Sequence, residues 1–357
     1  MNRNVLSRRV LAGVAIAALA LAGCSSKEDP ATDPSAGAGS GLAALSGELK
    51  ASGASFPNTY YQEVITSLKD EAPNLKVTYN SVGSGTGKKE FGSGLTDFAG
   101  SDSTVKDTDG VPAGTFLYVP TVAAPITISY NLKGVDNLQL SADTLAKIFQ
   151  REIKTWNAPE IAADNPGVTL PATAISVAHR ADGSGTTNNF TKYLAAAAPT
   201  TWKLGSGDTV AWPADTQGGQ KNTGVAQLIQ AADGGIGYVD LADATDGKLT
   251  FAAIKNKDGK FVKPTLEGAT AALAGAEIKD DLTFNPLNAA GADSYPITAP
   301  TYLLVKTTYT DAKQKELVKA FVTYLLKDTK DLAAELHYAP LPAELQTKAL
   351  AQLDKIS

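Results

Sequence analysis

The residues best suited to chemistry lie in one stretch, residues 176–194, which the sequence pattern divides into a strand, a turn and a helix. Arg180 ends the strand, and Ser184 and Thr186 stand among glycines in the turn. N–H groups and the dipole at a helix start favour a negative charge, and a guanidinium adds a planar set of donors. By itself the Gly-Ser-Gly-Thr turn is explained more simply by Ser184 or Thr186 as an N-cap. The spacing from Arg180, together with the preceding chain, favours an anion cradle.

The same strand–turn–helix arrangement occurs twice earlier in the chain. Ser55 precedes a helix that has Pro57 in its first turn, and Ser84 opens a second helix within a glycine-rich run. A short strand then ends in Asp102. This alternation is typical of an α/β fold, whose ligands bind at the carboxyl ends of strands and at helix starts. The run around Ser84 matches neither the Walker A nor the dinucleotide-binding motif, so a structural turn remains an alternative there.

The composition limits which classes of protein and which kinds of partner are possible. The chain has 357 residues, enough for two ordinary domains, and a net charge of -5. An acidic chain is a poor candidate for nucleic-acid binding, although local dipoles can still hold a small anion. Cys24 is the single cysteine, which excludes an internal disulfide. Two histidines, His179 and His337, are too few for a histidine-based metal site and leave little room for a Ser-His catalytic pair.

The amino-terminal segment has the features of an export signal. A start with three arginines and no acid precedes an apolar run over residues 10–22, which is too short to span a bilayer. Small residues before Cys24 resemble the lipobox of bacterial lipoproteins, in which the cysteine carries the lipid. We therefore predict a signal peptide over residues 1–23, of the general or the twin-arginine export type. Residues 24–47, rich in Ser, Gly, Ala, Pro and Asp, predict a lipid-anchored flexible tether.

Three longer segments complete the predicted architecture. Residues 116–131 and 295–305 are extended runs interrupted by prolines, and each predicts a strand that crosses from one domain to another. Residues 141–156 have the apolar spacing of a helix. The chain would therefore leave its first domain along one crossing strand and return along the other.

Taken together, these segments resemble the phosphate-binding lipoprotein of the bacterial phosphate ABC importer. The resemblance extends over nearly the whole chain after residue 48, and its motifs occur in the order of that family. They are Gly53-Ala54-Ser55-Phe56-Pro57, Gly83-Ser84-Gly85, Asp97-Phe98-Ala99-Gly100-Ser101-Asp102, Arg180-Ala181-Asp182-Gly183-Ser184-Gly185-Thr186, Gly234-Gly235-Ile236-Gly237-Tyr238-Val239 and Tyr295-Pro296-Ile297-Thr298.

The resemblance implies an α/β, two-lobed periplasmic-binding-protein fold of type II-like architecture, with a two-strand hinge between the lobes. Residues 48–124 and 297–357 would form lobe I, and residues 125–296 would form lobe II. The implied function is that of an extracytoplasmic receptor, anchored in the cell membrane by its lipid, which captures inorganic phosphate between the lobes. It would deliver phosphate to the membrane permease and ATPase subunits of the importer as a monomer, without a metal or other cofactor and without catalysis.

The resemblance also assigns site residues in lobe I. Ser55 and Phe56 would donate from the first helix start, Ser84 would do the same from the second, and Asp102 would accept a hydrogen bond. Ser55 stands where the family usually has Thr, which keeps the hydroxyl and removes a methyl group. Without the resemblance, Ser55 reads as an N-cap and Asp102 as a helix cap.

In lobe II, Arg180 would pair with the phosphate and Asp182 would steer its guanidinium group. Ser184, Gly185 and Thr186 would close the site from this side. Read alone, Asp182 is an ordinary turn acid.

Two other functions remain as alternatives. A receptor for sulfate would use the same donors, but a carboxylate such as Asp102 would repel an anion that has no proton to donate. A phosphatase with Ser184 as the nucleophile would need a base, and no nucleophile-elbow motif surrounds this serine.

Overall fold

The computed structural model describes residues 41–357. The predicted signal peptide, Cys24 and most of the predicted tether lie outside the described residues. Residues 42–47, predicted as the end of the tether, form a short 3-10 helix and the first residues of a strand. No helix among residues 41–357 is long and apolar enough to cross a membrane.

The described residues form thirteen strands and eleven α-helices. The strands are β1 (Ser46–Gly53), β2 (Asn74–Ser81), β3 (Phe98–Ser101), β4 (Phe116–Asn131), β5 (Gln139–Leu140), β6 (Ser176–Arg180), β7 (Gln217–Gly219), β8 (Gly235–Asp240), β9 (Thr250–Phe251), β10 (Ala253–Lys255), β11 (Phe261–Val262), β12 (Thr298–Lys306) and β13 (Ala339–Pro340). The α-helices are α1 (Asn58–Glu71), α2 (Ser84–Gly92), α3 (Ala142–Phe149), α4 (Pro159–Asp164), α5 (Gly185–Ala197), α6 (Lys221–Ala231), α7 (Leu241–Asp246), α8 (Leu266–Ala274), α9 (Ala312–Lys327), α10 (Lys330–Glu335) and α11 (Ala343–Gln352).

The long strand β4 belongs to both halves of the main sheet, whose order is β2-β1-β3-β12-β4-β8-β6-β7. Its residues up to Pro125 pair with β12, and its residues from Ile126 onward pair with β8. We call lobe I the half with β1, β2, β3, β12 and the first part of β4. Lobe II is the half with β6, β7, β8 and the second part of β4. The change of partner after Pro125 adjoins the predicted boundary at residue 125, and the exact extent of each lobe stays a prediction.

Strand direction brings the carboxyl ends of several strands to one place in each lobe. In lobe I, β1 pairs in parallel with β2 and β3. In lobe II, β6 pairs in parallel with β7 and β8. Residues that follow these strands therefore share the edge of the sheet at which α/β proteins bind ligands.

Helix α3 is shorter than the sequence predicted. We expected a helix over residues 141–156, but α3 ends at Phe149, and Arg151 adopts a left-handed backbone with φ of 65°. Such a conformation cannot continue a right-handed helix, so the chain turns away there. Helix α5 agrees with the sequence, since the predicted apolar residues Phe190 and Leu194 are fully buried.

Candidate anion-binding site

Strand β6 and helix α5 position the residues of the central motif. Ser184 is the N-cap of α5, and its Oγ accepts a hydrogen bond from the Thr187 N–H at 3.1 Å. The N-cap alternative for Ser184 is thus correct for its hydroxyl. Gly185 is the first residue of the helix, so its N–H lies at the positive end of the helix dipole.

Arg180 is held rigidly at the end of β6. Its Nε donates to Asp182 Oδ1 at 2.8 Å, and its Nη2 forms a second hydrogen bond with Asp182 Oδ2. The Lys221 N–H also donates to Asp182 Oδ1, at 3.1 Å. Burial alone would raise the pKa of Asp182, but the hydrogen bonds and charge of Arg180 outweigh it and lower that pKa. Asp182 is therefore an ionised residue that fixes the guanidinium group in one orientation.

The remaining edge of the guanidinium group faces Thr186 and Asn222. Arg180 Nη1 lies 3.4 Å from Thr186 Oγ1 and 3.2 Å from Asn222 Oδ1. Asn222 Nδ2 also donates to Thr186 Oγ1, at 3.3 Å. Sequence reasoning missed Asn222, although it follows strand β7 at a helix start, as the predicted residues do after other strands.

Asp102 is the buried acceptor of lobe I. Its Oδ1 accepts a hydrogen bond from Thr301 Oγ1 at 2.7 Å, and its Oδ2 lies 3.4 Å from Ser84 Oγ. Burial raises the pKa of Asp102 to about 7, against the opposing effects of the Thr301 hydrogen bond and the charge of Arg180. Thr301 was missed as a partner, although it lies in the second proline-interrupted run. Its role depends on β12 lying beside β3 in the sheet.

Ser55 and Phe56 lie between the end of β1 and the start of α1. Ser55 Oγ is buried and has no hydrogen-bond partner among residues 41–357. The Phe56 side chain is fully buried, and its carbonyl accepts a hydrogen bond from the Tyr338 hydroxyl at 2.7 Å. Strand pairing places these two residues at the common edge, and no hydrogen bond within the described chain joins their side chains to the other predicted residues.

The two lobes touch each other across this edge. Ser84 Oγ accepts hydrogen bonds from the Asp102 N–H and from the Gly185 N–H, both at 3.2 Å. The Gly85 N–H donates to the Gly183 carbonyl at 3.0 Å. A Cβ atom on Gly185 would lie only 2.6 Å from Asp102 Cβ, so this approach requires glycine. The structure thus brings Ser84 and Asp102 of lobe I against the start of α5 in lobe II.

The site contains hydroxyl, guanidinium and N–H donors around one carboxyl group, which suits an oxyanion that itself has a proton to donate. Within residues 41–357, no cluster of three or more His, Cys, Asp or Glu side chains is arranged to hold a metal ion. His179 stacks on Trp212 with ring centroids 5.1 Å apart.

Comparison with known proteins identifies the relatives of this chain. Residues 38–329 match the model of the PBP superfamily domain. The phosphate-binding protein PstS of Pasteurella multocida is 37% identical over 313 residues, which cover 85% of this chain and 89% of that protein. The phosphate-binding protein PstS of Xylella fastidiosa is 36% identical over 279 residues, with 77% and 76% covered.

Solved structures share the fold. A periplasmic phosphate-binding protein named PfluDING, bound with phosphate, superposes with a TM-score of 0.71 at 24% identity, covering 85% of this chain and 93% of that chain. A phosphate-binding protein from Stenotrophomonas maltophilia gives a TM-score of 0.68 at 22% identity, with 85% and 93% covered. The predicted two-lobed α/β fold is therefore confirmed. The chain belongs to the PBP superfamily and, within it, to the family of PstS phosphate-binding proteins.

Proposed function

We propose that this protein binds inorganic phosphate between its lobes and delivers it to a phosphate ABC importer. The observation that carries the proposal is the buried carboxyl group of Asp102, which stands among donors and faces the start of α5. The PstS proteins that resemble the chain along most of its length support the same ligand.

The donors of the site suit any tetrahedral oxyanion. They comprise the Arg180 guanidinium group, the N–H groups at the start of α5 and the Ser84 hydroxyl. Ser55 Oγ, which is buried and unpartnered among residues 41–357, is a further donor for such a ligand. A buried hydroxyl without a partner loses a hydrogen bond that it makes with water in the unfolded chain. An anion oxygen would restore that bond.

Asp102 supplies the distinction between phosphate and sulfate. Near neutral pH, phosphate keeps a proton that it can donate to a carboxylate, whereas sulfate has none and would be repelled. We assign phosphate binding to Ser55, Phe56, Ser84, Asp102, Arg180, Ser184, Gly185 and Thr186, with Asp182 as the residue that orients Arg180. Ser184 would act through its hydroxyl proton, because Oγ only accepts a hydrogen bond in capping α5 and the Ser184 N–H already donates to the Asp208 carbonyl.

The proposal includes a location and partners. A lipid on Cys24 would hold the protein at the outer face of the cell membrane, where it would work as a monomer with the permease and ATPase subunits of the importer. We expect binding without catalysis and without a cofactor. Its acidic net charge of -5 argues against nucleic acid as a partner.

Calorimetric titration with phosphate, sulfate, arsenate and molybdate tests the ligand. We expect phosphate and its analogue arsenate to bind far more tightly than sulfate. Protein refolded in phosphate-free buffer must be used, because phosphate retained through purification would mask binding. Clear binding of sulfate without binding of phosphate would overturn the assignment.

Replacement of Cys24 tests the anchor. Cys24→Ala should give protein that is released from the membrane or remains as an uncleaved precursor. Normal processing and firm membrane attachment of this variant would show that the cysteine is not lipidated.

A further inference from the structure

Lys88 is a fully buried lysine next to the candidate site. Its side chain has 0% exposure, and its Nζ lies 2.8 Å from Asp109 Oδ2 and 2.9 Å from Asp208 Oδ2. Ser103 Oγ is also within 3.1 Å of this ammonium group. A buried ammonium group is costly unless it is paired, so these contacts offset the cost of burying the Lys88 side chain.

The two carboxylates that pair with Lys88 come from different lobes. Asp109 ends a 3-10 helix (Asp107–Asp109) between β3 and β4, in lobe I. Asp208 lies in the loop that joins α5 to β7, in lobe II. Separation of the lobes would break the pair with Asp208 and leave the pair with Asp109 intact.

Asp208 forms hydrogen bonds and an ion pair with residues on both sides of the site. Its backbone carbonyl accepts a hydrogen bond from the Ser184 N–H at 2.8 Å, and its Oδ1 accepts one from Asn188 Nδ2 at 2.7 Å. Its Oδ2 accepts from Lys88 and from Ser103 Oγ, the latter at 3.1 Å. Asp208 therefore joins the start of α5 to the residue that follows Asp102.

The two helices are linked about one turn after their starts. Lys88 lies four residues after Ser84 in α2, and Asn188 lies four residues after Ser184, the N-cap of α5. Residues four apart are on the same face of a helix, one turn away from each other. Asp208 thus bridges the two helices one turn behind the ends that face the ligand.

We propose that Lys88 and Asp208 form an interlobe latch that holds the lobes together and sets how slowly the bound anion leaves. This inference rests on the proposed function for its ligand, but the latch acts through lobe contact rather than through contact with the anion. Both are positioning residues. In the separated state Asp208 regains water, whereas Lys88 keeps Asp109, so the pair with Asp208 favours the closed arrangement specifically.

Stopped-flow release of phosphate from Asp208→Asn measures the effect. Loss of one partner of a buried charge pair acts mainly on dissociation, so we expect the release rate to rise by about tenfold or more. The association rate should change little. Asp215→Asn is the matched control, because Asp215 lies in the same loop and pairs with Arg151 at 3.0 Å inside lobe II.

A second measurement does not depend on phosphate. In full-length protein with Cys24→Ser, cysteines introduced at exposed Lys76 in lobe I and exposed Lys133 in lobe II take spin labels. The distance distribution without anion should shift toward the separated arrangement in Asp208→Asn, and not in Asp215→Asn. Lys88→Met, combined with Asp208→Asn in a double-mutant cycle, should show that the two effects are coupled rather than additive.

The possible outcomes distinguish a failure of the proposed latch from a failure of the proposed ligand. Unchanged release rates and unchanged distances in Asp208→Asn would overturn the latch, even if phosphate binds. If the wild-type protein does not bind phosphate, the proposed function fails, and the distance measurement still decides whether Asp208 holds the lobes together. Equal effects of Asp208→Asn and Asp215→Asn would reduce the role of Asp208 to a general effect of charge and contradict the proposal.

Discussion

At the scale of single residues, Asp102 has the most influence on which anion is bound. The guanidinium group, the hydroxyls and the helix N–H groups would serve phosphate and sulfate alike. Asp102 differs from them because its ionised carboxylate can only accept a hydrogen bond. Its burial and its contacts with Thr301 and Ser84 fix the position of that acceptor.

Asp102→Asn should therefore change selectivity more than phosphate affinity. The amide removes the negative charge and supplies a donor, so sulfate affinity should rise by about two decades, which corresponds to a few kcal/mol, while phosphate affinity falls modestly or holds. Calorimetry of both anions at fixed pH and salt measures the ratio. Arg180→Ala is the comparison variant and should weaken the binding of both anions. An unchanged phosphate-to-sulfate ratio in Asp102→Asn would show that Asp102 is not the selective acceptor.

The raised pKa of Asp102 predicts a dependence of selectivity on pH. Burial raises this pKa to about 7, so the carboxyl group gains a proton as the pH falls through that value. Protonated Asp102 can donate a hydrogen bond to sulfate. We therefore expect the affinity for sulfate to increase as the pH falls from about 8 to about 6. Titrations of wild type and Asp102→Asn at both pH values test this, because the variant lacks the titrating group. The same pH response in both proteins would contradict the mechanism.

At the scale of elements, the start of α5 is the feature that depends most on close packing. Gly185 brings the helix end within contact of Ser84 and Asp102, and the N–H groups there reach across to lobe I only because no side chain intervenes. The same approach recurs where Gly85 contacts Gly183. The glycines of the two motifs therefore serve lobe contact as well as turn formation.

Gly185→Ala should impair closure of the lobes without lowering the thermal stability of the anion-free protein. A methyl group there would lie 2.6 Å from Asp102 Cβ, so the lobes cannot meet without a shift, and we expect phosphate affinity to fall by about tenfold or more. Alanine also favours the helix, so the anion-free protein should unfold at the same or a higher temperature. Calorimetry and thermal unfolding together measure both effects. Gly275→Ala, with nothing within 4 Å of the added atom, is the control, and equal affinity losses in both variants would contradict this prediction.

Local patterns predicted the elements well and the contacts between them poorly. The bounds of β4 agree with the predicted extended run, and the strand–turn–helix units predicted where Ser84, Asp102 and Arg180 lie relative to strand ends. Thr301 and the Lys88–Asp208 pair could not be predicted, because their partners are distant in sequence and meet only through sheet order and lobe contact. The sequence prediction extended helix α3 too far, because apolar spacing does not reveal that Arg151, just after the helix, adopts a left-handed backbone.

At the scale of the whole molecule, two connections join the lobes: strand β4, which pairs with strands of both lobes, and the residues just before β12, where the chain returns to lobe I. Strand β4 changes partner between Pro125 and Ile126, and β12 pairs with its first part from Thr298 onward. Proline cannot donate a backbone hydrogen bond, so Pro125 has no N–H with which to extend the sheet ladder. The few residues around this point are the part of the connection best suited to absorb a change in lobe orientation.

We predict that the lobes close on phosphate by rotation about these two connections. The donors of lobe II and the acceptor of lobe I can surround the anion together only when the lobes meet, so bound phosphate favours the closed arrangement by its differential affinity. Small-angle X-ray scattering should give a smaller radius of gyration at saturating phosphate than in phosphate-free buffer of equal ionic strength. Arg180→Ala at the same phosphate concentration should keep the larger radius, because it weakens the contact made from lobe II. Identical wild-type curves with and without saturating phosphate would contradict closure and indicate a preformed, rigid site.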